Sequence, residues 1–159
     1  MIGSLNELIL CDVPLEMPSL EKIPVPESKF LYGLFHLETS FVYLLDQQKF
    51  EYVWVSDSIT NCIGYDKSAV TSKVMLDSVH PDDIQLLARY EREIHDFFED
   101  NLLDRQNYEV AYLLRFRRRD GQYIPMLRQL FFCKSTEKKN YYYRIGIMSD
   151  LTDFYNDAS

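Results

Sequence analysis

The tetrapeptide His80-Pro81-Asp82-Asp83 combines residue types that can bind a metal ion or transfer protons. It stands directly before a long amphipathic run, IQLLARYEREIHDFFED. Proline fits the first turn of a helix, where its missing N–H costs nothing, and carboxylates favour the positive end of a helix. A metal site would need further ligands of matching type, so the tetrapeptide predicts a helix start instead. The apolar stripe of that helix is expected to contain Ile84, Leu87, Ala88, Ile94 and Phe98.

The three cysteines, Cys11, Cys62 and Cys133, lie far apart in the sequence and form no C-x-x-C motif. This spacing predicts neither a disulfide framework nor a zinc site, and it suits a reducing cytoplasm. The first residues, MIGSLNELILCDV, lack a positively charged leader segment, and no apolar run approaches the length of a membrane span. We therefore expect a soluble cytoplasmic protein with no bound metal and no membrane partner.

Motifs that indicate catalysis are missing from the sequence. Serines are not followed by the turn of a nucleophile elbow, there is no glycine-rich phosphate loop, and the carboxylates are scattered. We expect a protein that is not an enzyme. A small α+β enzyme with a cavity active site is the alternative, because catalytic groups can converge from distant positions.

The balance of charges argues against broad contact with nucleic acid. The 159 residues carry a formal net charge of −8, and the sequence pI is about 4.8. Four arginines, Arg115, Arg117, Arg118 and Arg119, stand close together, but strand alternation points Arg118 away from the other three. We expect these arginines to pair with aspartates and glutamates of the same chain.

Alternating apolar residues predict two strands in SFVYLLDQQKFEYVWVS, joined by a turn at Asp46 to Lys49. One face of the first strand should carry Phe41, Tyr43 and Leu45. One face of the second should carry Phe50, Tyr52 and Trp54.

Short helices are expected to follow these strands, from Asp57 to roughly Asp77. Ser56 has the side chain of a helix N-cap, Gly64 can end a helix in the left-handed conformation, and Asp66 can start the next helix.

The dipeptide Asp120-Gly121 separates two strand-like runs and predicts a tight hairpin turn of two residues. In that register Arg119 lies opposite Gln122, and Leu114 lies opposite Leu127. The predicted core face of the hairpin consists of Tyr108, Val110, Tyr112, Leu114, Phe116, Tyr123, Pro125, Leu127, Phe131 and Cys133. The last strand, in NYYYRIGIMSDLTD, would place on one side Tyr141, Tyr143, Ile145 and Ile147.

The opposite face of the hairpin is too apolar for a purely solvated surface. We expect it to be covered by a predicted helix at Ser28–His36, by a second copy of the chain in a homodimer, or by both. The predicted interface residues are Ala111, Leu113, Met126, Leu130 and Phe132.

Strands that are segregated from helices predict an α+β fold with an antiparallel sheet. Four motifs between roughly Ser40 and Asp153 resemble a PAS domain: YVWVSDSITNCIGYDKSAV, VHPDD, LRFRRRDGQYIP and SDLTD, in that order. The resemblance implies a five-stranded antiparallel sheet with helices on one face, around a possible ligand cavity. It also implies a sensory or protein-interaction role, with the PAS domain at 37–155 and a linker that starts at 156–159. The weakly patterned residues before this domain contain several prolines and are expected to form an arm and a short helix, at 1–36.

Within that family, the segments IPVPESKF and SFVYLLDQQKFEYVWVSDSIT resemble the N-terminal halves of bacterial transcription regulators. In those proteins a PAS domain precedes a LuxR-type helix-turn-helix domain. The resemblance implies a sensor that relays a signal through dimer contacts and meets DNA only through an output domain that this chain lacks. The alternatives are a ligand-free dimerisation scaffold, or the input domain of a histidine kinase or a cyclic-dinucleotide synthase.

The identity of any cavity ligand is not predicted. If the cavity exists, the residues expected to line it are Phe41, Tyr43, Trp54, Ile63, Leu87, Ile94, His95, Tyr112, Leu114, Leu127 and Tyr143.

Neither flavin nor haem, two cofactors of related domains, is expected to bind to this chain. The pair Asn61-Cys62 is similar to the Asn-Cys pair of light-sensing PAS domains that bind flavin, but Ile63 follows here instead of their Arg-Phe-Leu-Gln run. Haem-binding PAS domains use a histidine on the long helix, where His95 is predicted to face inward or nearly so. A histidine at the edge of a core is more often a structural residue than a haem ligand.

Overall fold

The computed structural model describes residues 38–101, 105, 108–134 and 142–157. Its strands are β1 (Ser40–Asp46), β2 (Glu51–Val55), β3 (Glu109–Arg117), β4 (Tyr123–Lys134) and β5 (Tyr142–Asp150). Its α-helices are α1 (Ile59–Ile63), α2 (Ser72–Asp77), α3 (Ile84–Asn101) and α4 (Thr152–Asp157), and two short 3₁₀ helices are formed by Lys67–Ala69 and Pro81–Asp83. The predicted helix at Ser28–His36 lies outside the described residues.

The five strands form one antiparallel sheet in the order β2-β1-β5-β4-β3, so β5 is central. Side chains from one face of the sheet pack with α1, α2 and α3 in a single apolar core. We call this the inner face and the opposite side the outer face. The prediction of an α+β fold with an antiparallel sheet and helices on one face is confirmed.

The outer face carries its own apolar cluster. It is centred on β1 and β5, and its buried members are Val42, Leu44, Cys133, Ile145 and Ile147. Alternation along the strands sends every second side chain to this side of the sheet. The predicted common face is confirmed for Tyr143, Ile145 and Ile147, and it is the outer face. Tyr141, the fourth predicted member, lies outside the described residues.

The hairpin of β3 and β4 has a turn of three residues, and the prediction of two was wrong. Arg118 N–H donates to the Gln122 carbonyl at 2.8 Å, and Gly121, with φ at +93°, adopts the left-handed conformation. A turn of this type is completed by a left-handed residue, which glycine supplies without strain. The pairing therefore brings Leu114 opposite Met126 rather than Leu127.

A shift of one residue reverses the faces of a strand. Tyr112, Leu114 and Phe116 remain on the inner face, as predicted. On β4, however, the inner residues include Ile124, Met126, Leu130 and Phe132, all at most 2% exposed. The assignment of Met126, Leu130 and Phe132 to an outer interface was therefore wrong, and Ala111 and Leu113 are the members of that set that lie outside the core.

A β-bulge changes the register between β1 and β2. Leu44 pairs with Trp54, whereas Leu45 pairs with Tyr52, so Val53 is the extra residue. Tyr52 consequently packs on the inner core and Trp54 on the outer cluster. The predicted common face of Tyr52 and Trp54 was wrong for this reason.

The tetrapeptide at the opening of α3 starts a helix, as predicted. His80 Nδ1 accepts a hydrogen bond from Asp82 N–H at 3.2 Å, and Pro81 occupies the first turn. Asp83 has a further role, because its carboxylate binds the Arg115 guanidinium and backbone N–H, which ties this helix start to β3.

The other predicted caps are partly confirmed. Gly64 ends α1 with φ at +81°, and Asp66 caps the following 3₁₀ helix by accepting from Ser68 N–H. The N-cap of α1 is Ser58 rather than Ser56. The Ser56 hydroxyl instead accepts a hydrogen bond from Val42 N–H at 2.9 Å, where it holds the end of β2 against β1.

None of the helices that the structure describes has the length and apolar character required to cross a membrane.

Candidate ligand-binding pocket

A pocket of about 530 Å³ lies between the inner face of the sheet and the helices α2 and α3. This volume falls in the range that is usual for small-molecule sites, roughly 300–1,000 Å³. Apolar side chains form most of its wall, among them Met75, Leu87, Leu114, Phe116 and Met148.

The mouth of the pocket is formed by large apolar side chains that remain in contact with solvent. Phe50, Leu76 and Ile84 are 57%, 51% and 36% exposed. Phe50 adopts the left-handed region with φ at +58°, and its carbonyl accepts a hydrogen bond from the Ser72 hydroxyl. The turn after β1 is thereby tied to the first residue of α2 at the entrance.

Three charged residues meet on the sheet side of the pocket: Glu91 from α3, Arg128 from β4 and Arg144 from β5. Arg144 Nη1 donates to both carboxylate oxygens of Glu91, at 3.0 and 2.9 Å. The Tyr112 hydroxyl donates to Glu91 Oε1 at 3.1 Å. Glu91 therefore connects α3 to two strands of the sheet.

Arg128 is held by two tyrosines. Its Nε donates to the Tyr43 hydroxyl at 2.7 Å, and its Nη1 donates to the Tyr112 hydroxyl at 3.1 Å. The guanidinium carbon also lies 5.6 and 5.8 Å from the centres of these two rings, within the range of cation–π attraction. The side chain is only 12% exposed, so its position is fixed by these contacts.

Tyr43 reaches Arg128 because the residue opposite it on β5 is glycine. Tyr43 pairs with Gly146, and a Cβ atom at Gly146 would lie 1.9 Å from the ring Cζ of Tyr43. The ring therefore lies across the backbone of β5, where Tyr52 packs against it with 5.0 Å between ring centres.

The cluster carries more positive than negative charge. Among the described residues that line the pocket, Glu91 is the one carboxylate, whereas Lys73, Arg128 and Arg144 are cationic. Lys73 lies near the mouth and pairs with Asp77 at 2.5 Å. Burial raises the pKa of the Tyr52 and Tyr112 phenols above their usual range, so these hydroxyls stay neutral at physiological pH.

One donor of this cluster lacks a partner. Arg144 is 4% exposed at its side chain, and its Nε has no hydrogen-bond acceptor among the described residues. A buried donor without an acceptor is costly, so an acceptor that reached this nitrogen would be stabilised there.

Seven of the residues predicted to line a cavity lie in the inner core: Phe41, Tyr43, Ile63, Leu87, Ile94, Tyr112 and Leu114. Of these seven, Leu87 and Leu114 contact the pocket described above. Trp54, Leu127 and Tyr143 do not, because the bulge in β2 places Trp54 on the outer face, the hairpin register does the same for Leu127, and Tyr143 follows the outer alternation of β5.

The predicted inward orientation of His95 was wrong. Its side chain is 65% exposed, and Nδ1 lies 3.4 Å from Asp96 Oδ1. The inward stripe of α3 runs through Leu87, Glu91, Ile94 and Phe98, and His95 lies about 100° around the helix from Ile94. Within the described part of the chain, no group of three or more metal-ligating side chains lies together.

Cys62 is not positioned for thiolate chemistry. It is 2% exposed in the core, and burial raises the pKa of its thiol to about 12. Cys133, in the outer cluster, has its thiol pKa raised to about 12 by burial as well. Both cysteines are free, and both thiols remain protonated at physiological pH.

Sequence reasoning missed Glu91, Arg128 and Arg144 as a group. The available signal was a charged residue at a position that periodicity assigns to an apolar face. On β4 the inner series is Ile124, Met126, Arg128, Leu130 and Phe132, and on α3 Glu91 lies four residues after Leu87. A charged residue enclosed by such a series predicts a buried ion pair.

A family model described as PAS domain matches residues 39–153 of the chain. The comparison with curated proteins finds no match.

Several solved structures share the fold. The N-terminal domain of a diguanylate cyclase with PAS/PAC sensor from Marinobacter aquaeolei aligns with a TM-score of 0.58 at 13% identity, over 73% of this chain and 98% of that one. A sensory box histidine kinase/response regulator from Burkholderia thailandensis gives 0.56 at 16% identity, over 83% and 88%. A variant of the PAS-B domain of Cycle from Drosophila melanogaster, with bound glycerol, gives 0.54 at 17% identity, over 69% and 98%.

Proposed function

The chain belongs to the PAS domain family, and from this premise we propose that it senses a small molecule in the pocket beside α3 and relays binding to an output domain. The observation that carries the proposal is the pocket itself. It has an apolar wall, an open mouth and a few converging polar groups, which is the usual composition of small-molecule sites.

The relay runs along β5. This strand carries Arg144 in the pocket and ends at Asp150, whose Oδ1 accepts from the Thr152 N–H at 2.8 Å and from the Thr152 hydroxyl at 2.5 Å. Asp150 thus caps α4 at the C-terminal end of the domain. A ligand changes this region only if it binds two conformations with unequal affinity.

A more specific part of the proposal is the kind of output domain that this sensor controls. The sequence resemblance of IPVPESKF and the β1–β2 block to bacterial transcription regulators supports a DNA-binding output. The diguanylate cyclase and histidine kinase with the same fold keep those two outputs as alternatives, because likeness at such low identity extends to the fold alone.

Homodimer formation stays a prediction and belongs to this proposal. Leu113, which is 43% exposed, and Ala111 are the predicted interface residues that support it, because both lie on the outside of the hairpin. A ligand-free scaffold that acts through such a dimer is the competing function.

We further propose a binding module rather than an enzyme. The charged groups of the pocket hold one another in an ion pair and in hydrogen bonds to tyrosines, and the described cysteines are protonated and buried. A reducing cytoplasm is the proposed location, which suits the free thiols of Cys62 and Cys133.

The test uses the full-length protein and its own output, measured as reporter transcription, autophosphorylation or cyclic-dinucleotide synthesis. Ala88 lines the pocket from α3 and is exposed at its open side, so Ala88→Trp is designed to block the entrance. The neighbouring Arg89 is 64% exposed, so Arg89→Trp is the matched control. We expect the first variant to fix the output in one state and the second to respond normally. A normal response from the Ala88→Trp protein would contradict ligand sensing.

A further inference from the structure

The charge on the pocket floor is not balanced by the pocket-lining residues that the structure describes. Arg128 and Arg144 are 12% and 4% exposed, and both face the single carboxylate of Glu91. Removing an uncompensated charge from water is unfavourable, and proteins reduce this cost with a counter-ion.

The neighbouring tyrosines do not supply the missing negative charge. Tyr43 and Tyr112 accept hydrogen bonds from Arg128, which satisfies its donors but leaves its charge unchanged. Burial holds the pKa of the Tyr112 phenol above its usual range, so this group is neutral. The three charged side chains of the floor therefore sum to one positive charge.

Arg144 combines a spare donor with a pair of bonds that a ligand can replace. One of its terminal nitrogens holds both oxygens of Glu91, while its Nε has no acceptor among the described residues. The guanidinium edge that contains Nε and a terminal nitrogen can bind a carboxylate or a phosphate through two parallel hydrogen bonds. Because Nε is enclosed in this structure, such binding requires a small movement of the Arg144 side chain.

We infer that the pocket binds a small organic anion, with its carboxylate or phosphate group at Arg144 and Arg128 and its apolar body against α2 and α3. This inference rests on the proposed function, since it names the chemical class of the ligand that the domain senses. The apolar body would contact Met75, Leu87 and Leu114, and the open mouth at Phe50 admits it.

Binding of this kind changes a contact between two elements. In this structure Arg144 on β5 pairs with Glu91 on α3 at 2.9 Å. A ligand oxyanion at the Nε edge would share this guanidinium with Glu91 and repel its carboxylate, so its arrival weakens the tie between the long helix and the central strand. The ligand therefore has unequal affinity for the two arrangements, as a sensor requires.

The first arm of the experiment compares four probes that share one apolar chain: octanoate, octyl phosphate, 1-octanol and octylammonium. Isothermal titration calorimetry with the folded domain measures each affinity. We expect at least one of the two anions to bind roughly tenfold or more tightly than the alcohol, and octylammonium to bind least. The comparison of octanoate with octyl phosphate identifies the preferred head group.

The second arm uses two variants with opposite expectations. Arg144→Gln should lose roughly tenfold in affinity for the preferred anion while its affinity for octanol is unchanged. Glu91→Gln should gain several-fold in affinity for the anion, because the internal competitor has lost its charge. The second variant keeps the inference testable if Arg144→Gln fails to fold.

Three results would overturn the anion inference. Equal binding of octanoate, octyl phosphate and octanol, or weaker anion binding by Glu91→Gln, overturns the anion inference and leaves a pocket that binds neutral ligands. Binding by none of the four probes overturns the inference as well. The proposed sensory function then depends on the separate experiment with Ala88→Trp in the full-length protein.

Discussion

Gly146 lies beneath the ring of Tyr43, and a methyl group on its Cα would stand 1.9 Å from the ring carbon Cζ. The glycine thus gives Tyr43 the space from which its hydroxyl binds Arg128 at 2.7 Å. Because the clash involves a fully buried ring, the ring has to move if the glycine is replaced.

We expect Gly146→Ala to lower the free energy of unfolding by roughly 1–3 kcal/mol, since overpacking of a filled core costs about this much. Urea denaturation measures the change. In a Tyr43→Leu background the same substitution should cost less, because the clashing ring is gone. An equal cost in both backgrounds would show that Tyr43 is not the reason for the glycine.

The observed hairpin register is tested by two leucines that were predicted to share an interface. Leu130 is 0% exposed in the core and Leu113 is 43% exposed outside it. We expect Leu130→Ala to destabilise the domain by about 2–5 kcal/mol and Leu113→Ala to change stability by no more than about 0.5 kcal/mol. Thermal and chemical unfolding measure the stability of both variants. Similar losses of stability for the two would argue for a different hairpin register.

Leu113 is also the appropriate residue for testing the predicted dimer. Sedimentation of Leu113→Glu, which places a charge on the outside of the hairpin without entering the core, should show a weaker dimer if this surface is the interface. An unchanged sedimentation profile from a dimeric wild type would exclude Leu113 from the contact.

The ion pair of Asp83 with Arg115 should make stability depend on pH in the acid range. Hydrogen bonds from the Arg115 side chain, and then from its backbone N–H, lower the pKa of Asp83 below its usual value despite partial burial. A lowered pKa in the folded state means stability that is present above the unfolded-state value of about 3.9 and is lost as the pH falls through the folded-state pKa.

We therefore expect Asp83→Asn to be less stable than the wild type at neutral pH, with the difference shrinking to nothing in strong acid. Asp82→Asn is the matched control, because Asp82 is 76% exposed and 3.8 Å from the same guanidinium. Unfolding curves over a pH series would measure both. A deficit for Asp83→Asn that persisted unchanged below the folded-state pKa would rule out the ion pair as its cause.

The buried cysteines should resist alkylation in the native protein. Burial raises the pKa of Cys62 and of Cys133 to about 12, so both thiols are almost fully protonated at mildly alkaline pH. We expect iodoacetamide to modify them at least roughly a hundredfold more slowly than free cysteine, and at ordinary rates in denaturant. Peptide mass mapping resolves the sites, and rapid native labelling of Cys62 would disprove its burial.

The periodicity of apolar residues and the helix-capping residues were sufficient to predict most of the fold. Alternation identified β1, the inner face of β3 and the final strand, and Pro81 with Asp82 and Asp83 identified the start of the long helix. These signals are local, so they do not depend on how distant segments pair.

The wrong face assignments on β2 and β4 came from two features that each insert one extra residue into the pairing of the strands. An Asp-Gly pair suits both a two-residue and a three-residue hairpin turn, and the bulge at Val53 leaves no distinct mark in the sequence. Each exchanged the two faces of a strand, so Trp54 and Leu127 were assigned to the pocket while Met126, Leu130 and Phe132 were assigned to the opposite surface. The charged cluster was missed because its members come from three elements whose register had to be known first.

Native mass spectrometry of the domain, purified gently from its own cells, tests the central claim most directly, which is that the pocket beside α3 holds a small molecule. We predict a population of wild-type domain heavier than the polypeptide by one small molecule, which denaturation releases. The Arg89→Trp control should retain this added mass and Ala88→Trp should lose it. A wild-type domain with only the polypeptide mass, even after incubation with the small-molecule fraction of those cells, would contradict the account.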